Sequence, residues 1–243
     1  MPLEQVTCPH NENISCASCR LSSICLPLSM ATDDVVKLEA IVQQGKPLHK
    51  GETLYKQGGD FQSVYAVRSG ALKAYSVTSA GEEQVVGFYL PGEILGIDGI
   101  AGHAYTSTAV ALDTAAVCEI PFSQLAHLSR ELPELQRQFF RIMSRGISDD
   151  QKLLTLISKN TADERVASFL LSLSARHVQR QLSGSRFQLA MSRQDIGNFL
   201  GLTIETVSRV LSKFKKSNVI AVNGKDVNIL DAATLKDIAK VMH

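Results

Sequence analysis

Residues 192–216 read SRQDIGNFLGLTIETVSRVLSKFKK, and this stretch decides the fold of the C-terminal part of the chain. Residues 194–201 follow the apolar spacing of a short helix that ends at Gly201. Thr203 is a suitable N-cap for a second helix over residues 204–216. Two helices joined by such a short, glycine-containing turn are typical of the helix-turn-helix motif.

The second predicted helix has an apolar face and a polar face. We expect the apolar side chains to be buried: Ile204, Val207, Val210, Leu211 and Phe214. Four polar side chains share the opposite face by their i, i+3, i+4 and i+7 spacing: Glu205, Ser208, Arg209 and Ser212. Arg209 can donate a bidentate pair to guanine, Glu205 can accept from the cytosine amino group, and Ser208 suits either base type. The lysines that follow suit DNA phosphates: Lys213, Lys215 and Lys216.

A hairpin follows this helix. Residues 219–222 and 226–230 flank Asn223-Gly224, which is a strong signal for a type I′ turn. A hairpin behind a second helix is a wing, so the region predicts a winged DNA-binding domain. The alternative is a helix-turn-helix domain that never binds DNA, in which the Glu and Arg of the polar face form an ordinary surface ion pair.

Upstream, Pro133 opens a helical run that continues to about Ile157. Apolar residues in this run follow the 3,4,3,4 spacing of a coiled-coil seam, with one acidic residue in the remaining slot: Phe140, Met143, Ile147, Asp150, Leu154 and Ile157. We interpret the seam as the interface of a parallel homodimer, in which the two Asp150 carboxylates repel each other and hold association near balance. The alternative is a helix rotated so that Asp150 faces solvent.

The region before this helix contains short alternating runs punctuated by glycines, which indicates a small barrel or jelly roll. The predicted class is α+β: an N-terminal β-roll sensor domain, a long dimerisation helix and a C-terminal winged helix-turn-helix domain. The expected boundaries are 1–28 for a cysteine-rich loop, 29–132 for the roll, 133–159 for the long helix and 160–243 for the DNA-binding domain.

Composition excludes several classes of protein. The 243 residues are 44% hydrophobic and 20% charged, which suits one or two domains with proper cores. No run approaches the ~18 apolar residues of a membrane span, and the N-terminus lacks the pattern of a secretory signal; we therefore expect a cytoplasmic protein. Residues 160–243 carry 12 Lys and Arg against 7 Asp and Glu, a net charge of +5, whereas residues 1–159 carry −4. A polyanion is thus expected to bind the C-terminal part.

The five cysteines suggest a metal site. Cys16, Cys19 and Cys25 lie within ten residues, and Cys118 could be a fourth ligand if the loop packs against a strand over residues 115–120. Cys8 is the spare thiol. An odd count without a secretory signal argues against a disulfide framework. Cys118 also has no adjacent base, so we expect no enzymatic activity.

The spacing leaves two metals open. Structural zinc sites usually combine two close pairs of ligands, whereas the grouping here is three plus one with a five-residue gap. That arrangement favours the wider footprint of a [4Fe–4S] cluster, with zinc as the alternative.

Several motifs together resemble one family along nearly the whole chain. They are the cysteine loop, GEEQVVGFYLPGEILGID, VCEIPF, TADERVASFLLSLS and MSRQDIGNFLGLTIETVSRVLSKF. In these the chain is similar to the oxygen-sensing fumarate and nitrate reduction regulators of the CRP/FNR superfamily. The cysteine loop is the most specific of these motifs, because the helix-turn-helix marks only the wider superfamily.

The resemblance implies a function. Each subunit would hold one [4Fe–4S] cluster through Cys16, Cys19, Cys25 and Cys118, and the homodimer would bind a palindrome resembling TTGAT…ATCAA. Oxygen would convert the cluster to [2Fe–2S] and then remove it, which would switch off anaerobic transcription. The base-reading residues match Glu205, Ser208 and Arg209, with Thr203, Ser212 and Lys213 beside them. A turn at Gly81, Glu82 and Glu83 matches a loop that contacts RNA polymerase; a plain solvated hairpin is the alternative.

Relatives that bind cyclic AMP use a Gly-Glu pair and a later Arg-Ser pair around the phosphate. This chain keeps Gly92-Glu93, but Tyr105 and Thr106 occupy the positions of the second pair. Without the arginine a buried phosphate has no charge partner. We therefore expect no cyclic nucleotide to bind.

Overall fold

The computed structural model describes residues 15–240, which form two compact units that divide between Ser144 and Arg145. The first unit begins with the cysteine loop and contains eight strands and the helices α1 (Thr32–Ile41) and α2 (Phe122–Glu131). A long helix, α3 (Pro133–Lys159), follows. None of the helices within residues 15–240 combines the length and the apolar character needed to cross a bilayer.

The strands of the first unit form two antiparallel sheets of four strands, ordered β1-β8-β3-β6 and β2-β7-β4-β5. The strands are β1 (Gln43–Gln44), β2 (Thr53–Tyr55), β3 (Ser63–Ser69), β4 (Leu72–Val77), β5 (Glu83–Tyr89), β6 (Ile94–Leu95), β7 (Thr108–Ala111) and β8 (Ala116–Pro121). Apart from the β4–β5 hairpin, strands that follow each other along the chain lie in different sheets, which is typical of a jelly roll. Gly70 connects β3 to β4 with φ of +72°, and a Cβ there would lie 2.4 Å from the Thr114 carbonyl oxygen.

The core that positions the cysteine loop lies between one sheet and the helices. Leu26 of the loop packs with Leu38 of α1, Ile120 of β8 and Leu135 of α3, and each is at most 2% exposed. Helix α2 also contributes to this core, and it was not among the helices predicted from the sequence. Because the loop supplies a core side chain, its backbone is tied to the roll and to the first turns of α3.

The second unit contains four further helices and a three-stranded sheet. Its elements are α4 (Ala162–Gln179), β9 (Arg186–Gln188), α5 (Arg193–Leu200), α6 (Ile204–Lys216), β10 (Ile220–Asn223), β11 (Asp226–Ile229) and α7 (Ala232–Ala239). Thr161 and Ser192 form capping boxes at the starts of α4 and α5, and Thr203 caps α6. The α+β architecture of a roll, a long helix and a winged helix-turn-helix domain is confirmed.

One burial prediction in this unit is wrong. Ile204 was expected to begin the buried stripe of α6, but it is 44% exposed. It is the first residue of the helix, and the buried face begins one turn later at Val207. The predicted N-cap at Thr203 is confirmed, since its side chain accepts from the N–H of Thr206.

Candidate functional site

The loop with three of the predicted ligand cysteines is held by hydrogen bonds and by its buried leucine. The backbone N–H of Cys16 donates to Glu39 Oε2 of α1 at 2.9 Å. The backbone N–H of Cys25 donates to the carbonyl of Leu21 at 2.9 Å. With Leu26 in the core, these contacts fix both ends of the cysteine segment against the roll.

This loop faces the strand that carries Cys118. In the sheet, Cys118 of β8 pairs with Ala66 of β3 on one side and with Gln44 of β1 on the other. Loop and strand line one pocket that is partly open to solvent. All four predicted ligands line it: Cys16, Cys19, Cys25 and Cys118. The remaining walls are mostly apolar and include Leu21, Leu26, Leu38, Val42 and Ile120.

Burial favours the protonated form of three of these thiols, those of Cys16, Cys25 and Cys118, in the free protein. Burial, followed by the proximity of Cys118, raises the pKa of Cys16 to about 12. Burial also raises the pKa of Cys25 to about 12 and raises that of Cys118. Because thiolates are the ligands of metals, binding here must release protons.

The four thiols lie around one apolar pocket, and thiolates are a donor set that suits a metal centre. Zinc would need all four within ~2.3 Å of a single centre, whereas a [4Fe–4S] cluster takes four thiolates around a wider core.

Three polar side chains beside the pocket were missed by sequence reasoning: Glu39, Arg68 and Gln138. The Arg68 guanidinium lines the pocket, opposes the effect of burial on the pKa of Cys118, and donates to Gln44 Oε1 at 2.7 Å. Gln138 Nε2 of α3 donates to the carbonyl of Cys25 at 3.2 Å, across 113 residues of sequence. No spacing pattern could have indicated these contacts, because only the tertiary fold brings them together.

The predicted base-reading residues lie on α6. Glu205, Arg209 and Ser212 are exposed and Ser208 is half-buried. A hydrogen bond from its own backbone N–H, and then one from the Thr203 hydroxyl, hold the pKa of Glu205 below its ordinary range. Glu205 is therefore an ionised acceptor beside the exposed guanidinium of Arg209.

Contacts from neighbouring elements surround this face. Arg193 Nη1 of α5 donates to Ser208 Oγ at 3.3 Å, which explains why Ser208 is half-buried. Lys213 forms an ion pair with Asp163 of α4, and Lys215 donates to the Val222 carbonyl of the wing at 3.3 Å. Lys213 must therefore exchange a carboxylate for a phosphate if it contacts DNA.

Arg165 of α4 connects the end of α3 to the helix-turn-helix turn. Its Nε donates to the carbonyl of Asn160 at 2.9 Å, and its Nη2 donates to the carbonyl of Ile157. Its Nη1 donates to the carbonyls of Leu200 and Gly201 at 3.0 and 3.4 Å. One guanidinium thus satisfies carbonyls at the ends of α3 and α5, which lack intrahelical partners.

Within α3, the predicted seam residues differ in exposure. Phe140, Ile147 and Leu154 are 55%, 61% and 69% exposed in the single chain, while Met143 and Ile157 are half-buried. Asp150 is exposed, and partial burial followed by the charge of Asp149 raises its pKa. Large apolar side chains at this spacing are typical of helices that pair with another helix.

The predicted polymerase-contact turn is an exposed hairpin end. Gly81 has φ of +80°, and its N–H donates to the carbonyl of Thr78 at 2.9 Å. Glu82 follows in the turn and Glu83 begins β5. The turn is therefore a well-formed β4–β5 connection with acidic side chains at its tip.

The residues matching a cyclic nucleotide pocket have other partners. Asp98 Oδ2 accepts from the N–H and hydroxyl of Thr106, at 3.1 and 2.7 Å, and from the hydroxyl of Ser107 at 2.9 Å. Tyr105 is buried and stacks on Tyr55 with ring centroids 4.0 Å apart. The hydroxyls of Thr106 and Ser107 are therefore already bonded to a carboxylate.

Comparison with known proteins agrees with this architecture. The Crp-like helix-turn-helix domain matches residues 164–238, and the cyclic nucleotide-binding domain matches residues 45–131. The chain is 53% identical over 224 residues to the transcriptional activator protein anr of Pseudomonas aeruginosa, with 92% of each chain covered. It is 44% identical to the fumarate and nitrate reduction regulatory protein of Vibrio cholerae, covering 94% of this chain and 91% of the relative.

The fold is similar to that of solved regulators as well. The structure of FixK2 from Bradyrhizobium japonicum matches with a TM-score of 0.76 and 27% identity, covering 84% of this chain and all of that one. The relatives are regulators and not enzymes, as the sequence predicted. The chain belongs to the CRP/FNR family of DNA-binding transcription regulators.

Proposed function

We propose that this protein is a cytoplasmic, oxygen-responsive transcription regulator that holds one [4Fe–4S] cluster per subunit. Cys16, Cys19, Cys25 and Cys118 would be the ligands. When bound, such a cluster would supply an iron centre that reacts with oxygen. The observation that carries the proposal is the convergence of four thiols, from the loop and from β8, on one apolar pocket.

The cysteine loop supports a link between ligand binding and the rest of the unit. Leu26 of the loop and Leu135 of α3 belong to one core, so a change in the loop changes the packing beneath α3. If Cys16 and Cys25 lose a metal, their sulfur atoms regain protons, because burial disfavours thiolates. The loop therefore has a different charge and geometry in the two states.

We propose that α3 pairs with its copy in a homodimer. The exposed Phe140, Ile147 and Leu154 would be buried there, with Met143 and Ile157 at the edges of the seam. Asp150 would meet its twin, and the repulsion between the two carboxylates opposes association. When the free-energy difference between monomer and dimer is small, a change in the cysteine loop can shift the equilibrium, as a switch requires.

On DNA, we propose that α6 enters the major groove of a palindrome resembling TTGAT…ATCAA. Glu205, Ser208 and Arg209 would contact base edges. Thr203, Ser212 and Lys213 would contact the surrounding backbone. The turn at Gly81, Glu82 and Glu83 would contact RNA polymerase, and its exposure in the hairpin supports this role.

We propose that no cyclic nucleotide controls the protein. The phosphate donors around Thr106 and Ser107 are bonded to Asp98. Tyr105 fills the place where related proteins carry an arginine. Both features oppose the binding of a phosphate.

Anaerobic purification tests the proposal. Wild-type protein should be brown, contain about four irons per chain, dimerise and bind the palindrome, and it should bleach in air. Cys118→Ser should lose iron and palindrome binding, whereas the matched variant Cys8→Ser, at a position outside the described residues, should keep both. A colourless, air-stable zinc protein, or a Cys118→Ser variant with unchanged oxygen-free DNA affinity, would contradict it.

A further inference from the structure

We propose that Gln138 is a positioning residue that couples the cysteine loop to the dimerisation surface of α3. Its side chain forms the hydrogen bond that joins a ligand cysteine directly to this helix. The inference rests on the proposed function, because it concerns how the state of the loop reaches the dimer seam. It names a contact between elements that are far apart in sequence.

Gln138 is an unusual residue for its surroundings. It is 5% exposed and lies between the core residues Leu135 and Phe139 on α3. Nε2 donates to the Cys25 carbonyl at 3.2 Å. Oε1 is buried and has no hydrogen-bond partner within residues 15–240. The amide is therefore held by a single hydrogen bond.

A buried amide with an unpaired oxygen destabilises a core, since burial removes it from water without full compensation. An apolar side chain of similar size would fit among these leucines and phenylalanines at lower cost. The hydrogen bond to the Cys25 carbonyl thus offsets part of the free-energy cost of burying the Gln138 amide. If the Cys25 carbonyl shifts, Nε2 loses its partner as well, both ends of the amide are then unsatisfied, and this part of α3 no longer packs favourably.

The residues next to Gln138 on α3 connect the loss of this hydrogen bond to the dimer seam. Phe139 is buried against the roll, whereas Phe140, the next residue, is 55% exposed. Met143 is half-buried against the same core as Cys25. Any rotation or lifting of this helical segment moves Phe140 and Met143, which are the first two seam positions. The ligand loop can therefore alter the dimer surface through one hydrogen bond.

Two substitutions at this position test the coupling. Gln138→Leu removes both the bond and the unpaired oxygen, so α3 should pack whether or not Cys25 is in place. Gln138→Asn keeps an amide but is one methylene too short to reach the Cys25 carbonyl. The readout is the ratio of the dimer dissociation constants of the iron-free and iron-loaded protein, measured anaerobically by sedimentation, with iron content determined in parallel.

We expect each variant to retain wild-type iron content and to reduce this ratio by roughly fivefold, the effect of one neutral hydrogen bond. Gln138→Leu should do so by strengthening the iron-free dimer, and Gln138→Asn by weakening the loaded one. Hydrogen exchange over residues 133–144 should then respond to iron loss in the wild type but not in Gln138→Leu. Gln136→Leu, which changes an exposed glutamine on the same helix, is the matched control and should keep the wild-type ratio.

The outcomes separate this inference from the proposed function. A wild-type ratio well above one with unchanged ratios in both variants overturns the role of Gln138 alone. A wild-type ratio near one contradicts the oxygen switch itself, and the coupling with it. If Gln138→Leu does not fold, the sedimentation of Gln138→Asn decides the matter by the same criterion.

Discussion

The helix-turn-helix segment takes its structure from one consecutive stretch of sequence, whereas the cysteine pocket draws on several separate parts of the chain. In the first, Ser192 and Thr203 cap helices that begin one residue later. In the second, residues of the loop, α1, β8 and α3 meet around thiols whose pKa values are raised. The helix starts of the first region are capped from within that region, while the second region contains buried thiols and a half-satisfied amide.

The two regions also differ in the function proposed for them. A protein surface that recognises DNA binds more tightly when it is already ordered, because ordering a flexible segment on binding costs free energy. A sensor must instead have two states separated by a small free energy, so that a chemical change can shift it. Under the proposed function, incomplete satisfaction around the cysteine pocket would provide that small difference.

The largest expected effect concerns the anchor of the cysteine loop. Leu26→Ala should lower the free energy of unfolding of the first unit by about 2–5 kcal/mol, because Leu26 is 1% exposed in the core. All five tyrosines of the chain lie between residues 55 and 105 and it has no tryptophan, so tyrosine fluorescence during urea unfolding reports on this unit. Val36→Ala, at an exposed site of α1, is the control. If Leu26→Ala lowered the free energy of unfolding no more than Val36→Ala does, Leu26 would not anchor the loop.

The second prediction tests whether the helix-turn-helix segment depends on hydrogen bonds from α4. Arg165→Ala should destabilise it by about 1.5–3 kcal/mol, since carbonyls of Ile157, Leu200 and Gly201 lose a charged donor. Hydrogen exchange over residues 193–216 should show reduced protection, and Arg186→Ala, at an exposed position of β9, should leave it unchanged. Full protection in Arg165→Ala would show that this segment needs no support from α4.

A third pair of substitutions distinguishes side chains that recognise bases from side chains that contact phosphates. Arg209→Ala should weaken palindrome binding by about 1–3 kcal/mol and relax the preference at one base pair. Lys216→Ala should weaken binding to all sequences alike and reduce its salt dependence. Fluorescence anisotropy with matched and substituted duplexes distinguishes the two. Equal loss of affinity for all duplexes with Arg209→Ala would place Arg209 on the phosphate backbone.

The smallest effect, taken per pH unit, is a decline in stability at high pH to which the cysteine pocket contributes. In metal-free protein the folded pKa values of Cys16 and Cys25, about 12, exceed the ordinary value of 9.0. Their thiols therefore ionise first in the unfolded state. The stability of the first unit should fall between pH 9 and 12, with a contribution from Cys25 of at most about 1.4 kcal/mol per pH unit. Urea unfolding of Cys25→Ser should show a shallower decline, and an identical decline would mean that Cys25 is not buried.

Sequence patterns were most informative where contacts are local. The start of α6 at Ile204, its cap at Thr203 and the wing could be predicted because helix spacing, capping and the Asn-Gly turn act within a few residues. The burial of Ile204 was predicted wrongly, since helical spacing does not tell where on the helix the packing begins. Helix α2 escaped prediction because its sequence, FSQLAHLSRE, shows no strong boundary signal after β8.

By itself the sequence determined the cysteine spacing, the apolar seam and the chemistry of the recognition face, because these follow from residue type and short-range periodicity. The tertiary structure decided that Cys118 faces the loop, that Arg68 lines the same pocket, and that Gln138 reaches the Cys25 carbonyl. The physical reason is distance along the chain. Contacts across a hundred residues depend on how two sheets and three helices pack, and no local pattern encodes that packing.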